Sequence, residues 1–131
     1  MAETVQILIV DDQPRARQSL RALLSTWPVP HRVMEAVDGR EAIASVQKHV
    51  PDVVVMDVCM PEMDGLQATR ITKARWPQVK VVVLTLYGEY EVEAMAAGAD
   101  AFVGKGEPPA RLLSILSAIA NSSPQESQQA R

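Results

Sequence analysis

Cysteine is almost missing from this 131-residue chain, where Cys59 stands alone. A single thiol cannot form an internal disulfide, so the expected setting is a reducing cytoplasm and the expected source of stability is a core. Long apolar runs are missing too, and none approaches the roughly 20 residues that a bilayer-spanning helix needs. Met1 to Thr4 lacks both the charged and the apolar region of a secretory leader, so no membrane association is expected. An excess of one charge is equally lacking. The formal net charge is −3 and the nine arginines are scattered, which argues against a nucleic-acid surface on this domain. Arg15, Arg17 and Arg21 read as the wet face of one helix. No Walker-type glycine loop, zinc motif, cysteine pair or nucleophile elbow occurs, and His31 and His49 lack the clustering of a transition-metal site.

What is present is alternation. Apolar, β-branched runs at Val5–Val10, Val53–Met56, Val79–Leu84 and Ala101–Val103 suit strands buried on both faces of a parallel sheet. Arg32–Ala36 mixes polar and apolar residues and reads as an edge strand. Amphipathic stretches lie between these runs. Pro14 suits a first helical turn, and Ala16, Leu20, Leu23, Leu24 and Trp27 follow at helical spacing. Asp38 with Glu41, and Asp64 with Gln67, read as N-caps with their partners, and Pro51 closes the helix that Asp38 begins. A fourth helix is expected over Tyr90–Ala97 with Gly98 in the left-handed position after it, and a fifth from Pro108-Pro109. Trp27 and Trp76 read as packing residues at helix ends. Five strands alternating with five helices predict an α/β, (βα)5 doubly wound parallel sheet over residues 1–121. Residues 122–131 are rich in Ser and Gln, and read as a disordered tail or the start of an interdomain linker.

In such a fold the ends of all strands share one rim, where ligands bind. Asp11 and Asp12 follow the first strand, Asp57 the third, Thr85 closes the fourth, and Lys105 follows the fifth. Three gathered carboxylates are tolerable at neutral pH around a divalent cation, and oxygen-only ligands favour Mg²⁺ or Mn²⁺ over zinc. Lysine supplies charge for phosphoryl oxygens and threonine a hydroxyl donor. Asp57 is then the nucleophile, forming an aspartyl phosphate. Each residue also has a plainer reading. Asp11 and Asp12 could cap the first helix, Asp57 and Thr85 could simply end strands, and Phe102 could be core. Cys59 reads as a small neutral side chain, because neighbouring carboxylates disfavour a thiolate.

The stretches Leu8-Ile9-Val10-Asp11-Asp12, Met56-Asp57-Val58-Cys59-Met60-Pro61-Glu62-Met63-Asp64-Gly65, Val83-Leu84-Thr85 and Gly98 to Lys105 together resemble the response-regulator receiver family, across roughly residues 5–121. The resemblance implies a flavodoxin-like strand order 2-1-3-4-5 and a signalling switch rather than an enzyme with an external substrate. It implies that Asp57 accepts phosphate from a sensor histidine kinase or a phosphotransfer protein. Asp12, Asp57 and the Cys59 backbone carbonyl would hold Mg²⁺, with Asp11 acting through a metal-bound water. Lys105 and Thr85 would bind the phosphoryl group, and Thr85 and Phe102 would move together as the switch. Cys59, Leu86 and Tyr87 occupy positions that tune phosphoryl lifetime, with Leu86 and Gly106 departing from the small residue and the proline common there. The Thr85 and Lys105 regions are most similar to members with LuxR-type helix-turn-helix outputs, which implies transcriptional control, DNA contact only through a further domain, and a homodimer on phosphorylation. Two other classes remain open. An aspartyl-phosphate phosphatase would need a second acid where Cys59 stands, and a flavin module would have to seat a phosphate on an acidic rim.

Overall fold

The computed structural model describes residues 4–58, 60 and 63–121. Cys59 and residues 122–131 lie outside the described residues. In chain order the elements are β1 (Val5–Val10), α1 (Pro14–Leu24), β2 (His31–Ala36), α2 (Gly39–Lys48), β3 (Val53–Met56), α3 (Gly65–Arg75), β4 (Lys80–Thr85), a 3₁₀ turn (Gly88–Tyr90), α4 (Glu91–Ala96), β5 (Ala101–Gly104) and α5 (Pro109–Asn121). All neighbouring strands are parallel, in the order 2-1-3-4-5. Among the described residues no helix is long and apolar enough to cross a membrane.

Strand alternation sorts the apolar runs into two cores. Leu8, Val10, Val54, Met56, Val81 and Val83 pack toward residues of α2, α3 and α4. Ile7, Ile9, Val53, Val55, Val82 and Leu84 pack toward α1 and α5. Both faces are covered, which is why these runs need no polar alternation. β2, at one edge, retains half-exposed positions as its mixed sequence predicts.

The local signals largely hold. Asp38 accepts from the Glu41 N–H at 2.8 Å, and Asp64 accepts from the Gln67 N–H at 2.9 Å. The Glu41 carboxylate reaches back to the Val37 N–H, one residue before the cap. Gly98 has φ of 103°, a conformation that side chains rarely adopt. α4 matches its expected bounds to within one residue at each end, with Tyr90 closing the 3₁₀ turn before it. Trp27 packs at the end of α1 as expected, but beyond the helix and not on its stripe: it is buried, with its indole N–H donating to Ser117 Oγ of α5 at 2.9 Å.

The start of α3 lies close against the residues that follow β3. The Gly65 N–H donates to the Val58 carbonyl at 2.9 Å, and a Cβ on Gly65 would stand 1.8 Å from the Asp57 carbonyl oxygen. Backbone meets backbone there, so no side-chain rotation can relieve the overlap. Gly65→Ala should therefore lower unfolding stability by about 2 kcal/mol or more in urea titration. A loss no greater than the few tenths typical of an exposed helix substitution would show that α3 can move away freely.

Candidate functional site

The parallel pairing of β1 with β3 sets Val10 opposite Met56, so the residues that follow, Asp11 and Asp57, emerge side by side. Asp57 donates its N–H to the Val10 carbonyl at 2.9 Å, and Asp11 donates its own to Ala36 at 3.2 Å. Asp11, Asp12 and Asp57 each present a carboxylate oxygen, and the three oxygens lie within 4.8 Å of one another. Lys105 comes from two strands away. Adjacent strands are about 4.8 Å apart, so β5 stands about 10 Å from β3 and only a long side chain spans the gap. The Lys105 N–H donates to the Thr85 carbonyl at 2.8 Å, and its ammonium lies 2.7 Å from Asp11 Oδ2 and 3.7 Å from Asp57 Oδ1.

Burial dominates the electrostatics. Asp57 is 8% exposed, and its carboxyl is pushed up from an ordinary 3.8 to about 6. Desolvation is the main cause. The Lys105 charge opposes it, Asp11 repulsion adds to it, the Val58 N–H opposes it, and Asp12 repulsion adds a smaller share. One ammonium faces three carboxylates, so a divalent cation would complete the neutralisation. The oxygen-only donor set fits Mg²⁺ or Mn²⁺ and offers nothing that zinc prefers. The Cys59 carbonyl, expected as a further ligand, lies outside the described residues.

The remaining predicted residues surround this cluster with different partners. Thr85 is fully buried, and its hydroxyl accepts from the Tyr87 N–H at 3.3 Å. Val83 pairs with Phe102 across β4 and β5, and alternation puts Thr85 on the same sheet face as that pair. Phe102 is half-buried against the α2–α3–α4 core. Leu86 and Tyr87 are largely solvent-facing, at 68% and 46% exposed. The capping alternative for the acidic pair finds limited support: the N-cap of α1 is Gln13, without a side-chain cap bond, although Asp11 Oδ1 accepts from the Gln13 N–H at 2.9 Å. The described peptide bonds, including the one between Lys105 and Gly106, are trans.

One feature escaped the sequence reading. Arg17 is not on a wet face. Its guanidinium donates to the Asp11 carbonyl at 2.7 Å and to Glu35 Oε1 at 2.8 Å, and Glu35 also pairs with Arg21. The four-residue spacing of Arg17 and Arg21 was the available signal; the position of Glu35 on β2 was not.

Comparison with known proteins places this geometry. A family model described as the response regulator receiver domain matches residues 7–117. The transcriptional regulatory protein DegU of Brevibacillus brevis is 32% identical over 118 residues, covering 88% of this chain and 50% of DegU. The chain thus spans about half the length of the curated relatives it matches. The crystal structure of a LuxR-family two-component response regulator from Aurantimonas sp. SI85-9A1 superposes with a TM-score of 0.85 at 31% identity, covering 96% of this chain and 94% of that one. The response regulator TrrA of Thermotoga maritima, solved in complex with Mg(2+)-BeF, has a TM-score of 0.82 at 26% identity, covering 88% and 99%.

The raised Asp57 carboxyl makes a prediction about stability. Below pH 3.8 both the folded and the unfolded chain hold this proton, and ionisation costs the fold nothing. As pH rises, the unfolded carboxyl ionises first, so stability falls until pH passes about 6 and then levels off. The full loss is on the order of 2 to 3 kcal/mol. Asp57→Asn should thus stabilise the metal-free domain by about 2 kcal/mol at pH 7.5 in urea titration, and the gain should fade near pH 4. A variant less stable than wild type at pH 7.5 would show that the Lys105 pairing outweighs burial.

Proposed function

The chain belongs to the response regulator receiver domain family, and from that premise we propose that it is a phosphorylation switch whose acceptor is Asp57. The observation that supports this most is the Lys105 ammonium held between Asp11 and Asp57 beside a third carboxylate. A nucleophile, a cation for phosphoryl oxygens and a set of metal donors stand on one rim.

The phosphoryl donor is the phosphohistidine of a sensor histidine kinase or of a phosphotransfer protein. A carboxylate oxygen of Asp57 forms a bond to phosphorus, and the nitrogen–phosphorus bond of the donor breaks with its electron pair leaving to the imidazole. Asp11, Asp12, Asp57 and the Cys59 carbonyl are the groups that would hold Mg²⁺, or Mn²⁺, and the bound cation supplies neutralisation of the phosphoryl oxygens. Lys105 exchanges part of its pairing with the carboxylates for the new phosphoryl group. The product carries roughly −1.5 to −2 charge where Asp57 carried one. The Thr85 hydroxyl leaves the Tyr87 N–H and donates to a phosphoryl oxygen. Phe102, on the same sheet face, turns inward with it. The outcome is a shift between two packings of one fold, read out by a partner or by dimerisation. The domain catalyses only its own phosphorylation and dephosphorylation, in the cytoplasm.

Residues 1–121 form this receiver, and 122–131 lead toward an output domain that contacts DNA. The support is the curated relative named as a transcriptional regulatory protein, of which this chain covers half.

Intact mass after incubation with acetyl phosphate and Mg²⁺ tests the reading. Wild type should gain one phosphoryl group, and neither Asp57→Ala nor metal-free wild type should. A wild type that binds Mg²⁺ but gains nothing from acetyl phosphate or from kinases would overturn it. Leu86 and Tyr87 line the approach to the phosphoryl group and restrict water, so Leu86→Ala should change the autodephosphorylation rate several-fold. An unchanged rate would remove Leu86 from that role.

A further inference from the structure

Within the turn that carries Asp11 and Asp12, Asp11 Oδ1 accepts from the Gln13 N–H at 2.9 Å. α1 begins without a side-chain cap, and Pro14 in its first turn has no N–H to give. The turn is also gripped from the second turn of the helix. Helical side chains lean toward the N-terminus, which brings the Arg17 guanidinium back over the turn, where Nη1 donates to the Asp11 carbonyl at 2.7 Å. That oxygen belongs to the planar peptide joining Asp11 to Asp12, so holding it restricts the orientation of the one plane that both residues share. The guanidinium is itself held. Nε donates to Glu35 Oε1 at 2.8 Å, and Glu35 is anchored by the β1–β2 register opposite Ile9 and by its second pairing, with Arg21. The Arg21 and Arg17 contacts hold the Glu35 carboxyl below the usual carboxylate range, so the clamp stays charged well into acid. The Arg17 side chain is only 16% exposed, unlike the half-exposed Arg21.

We infer that Arg17 is a positioning residue for the divalent cation: clamped by Glu35, it presets the Asp11–Asp12 peptide so that the acidic pair meets the metal without rearranging. This rests on the cation reading of the acidic cluster given above. Two bonds from one planar fork are required, one to a carboxylate and one to a peptide oxygen, which is a task for arginine and not for lysine.

Charge and position make opposite predictions. Deleting a positive group near a cation site should tighten cation binding by Coulomb's law. Losing a positioning group should weaken it, roughly tenfold for a residue that orients ligands. Calorimetric Mg²⁺ titration of the folded domain, at a temperature well below each variant's melting point, separates the two. Arg17→Met should raise the Mg²⁺ dissociation constant about tenfold. Arg17→Lys should also raise it, since the charge returns without the fork. If Arg17→Met does not fold, Arg17→Lys carries the test alone, because it keeps the charge and loses only the fork; Glu35→Gln should weaken binding a few-fold, in the direction that loss of its own negative charge also gives. Unchanged or tighter binding in these variants would overturn the inference while leaving the cation site intact. Failure of wild type itself to bind Mg²⁺ would overturn the cation reading, and this inference with it.

Discussion

Repulsion among Asp11, Asp12 and Asp57 is the constraint around which the domain is arranged. Their oxygens lie within 4.8 Å of one another, and Asp11 and Asp57 are nearly removed from water. Such a cluster persists only because the fold supplies more than it loses there. Both faces of the sheet bury continuous apolar runs, and fully burying one valine or leucine is worth roughly 1.5 to 3 kcal/mol. The strained charge is thus a local cost carried by a large core. Lys105 relieves part of it, and the remaining negative charge is what the proposed divalent cation would offset on this rim.

The parallel sheet does the gathering. Because every strand runs the same way, chain segments far apart in sequence end on one edge, and register decides which ends are neighbours. Val10 opposite Met56 makes Asp11 and Asp57 adjacent; Thr85 opposite Gly104 puts the β4 end beside the segment that carries Lys105. The tight Gly65 contact then fixes Asp57 from the other side, since the first residue of α3 rests on its carbonyl. The Asp57 backbone is held by strand, helix and neighbour at once, which leaves the side chain as the part that the proposed phosphoryl transfer would use.

This logic explains what the sequence made legible. Asp11, Asp57 and Lys105 could be placed because each follows an apolar run, and the ends of such runs need no tertiary knowledge. The two caps at Asp38 and Asp64 followed from short-range pattern, while the strand order 2-1-3-4-5 came only with the family resemblance. Arg17 could not be placed in this way. Its spacing within α1 suits a solvated face, and only the lateral pairing of β1 with β2 brings Glu35 beside it. α4 was legible to within one residue at each end, whereas the 3₁₀ turn Gly88–Tyr90 before it left no periodic signal to read. Gly65 stood inside the motif that carries the family resemblance, but its backbone contact is a matter of close approach that no spacing encodes.

The two faces of the sheet differ in a way that bears on the proposed switch. Toward α1 and α5 the packing is continuous, from Leu20 and Leu24 to Leu112 and Leu116, and Trp27 is fastened to Ser117. Toward α4 it is thin. α4 contributes Ala94 to the core, while Leu86, Tyr87, Val92 and Met95 remain 46% to 79% exposed. Segments with few buried apolar contacts open at low free-energy cost. Thr85 and Phe102 lie on this thinly covered face, not on the α1–α5 face. If Thr85 is drawn toward a phosphoryl group on Asp57, the movement has a rigid core behind it and a weakly held helix ahead of it. The response should then run into α4 and its flanking turn, because only there does rearrangement leave the main cores undisturbed.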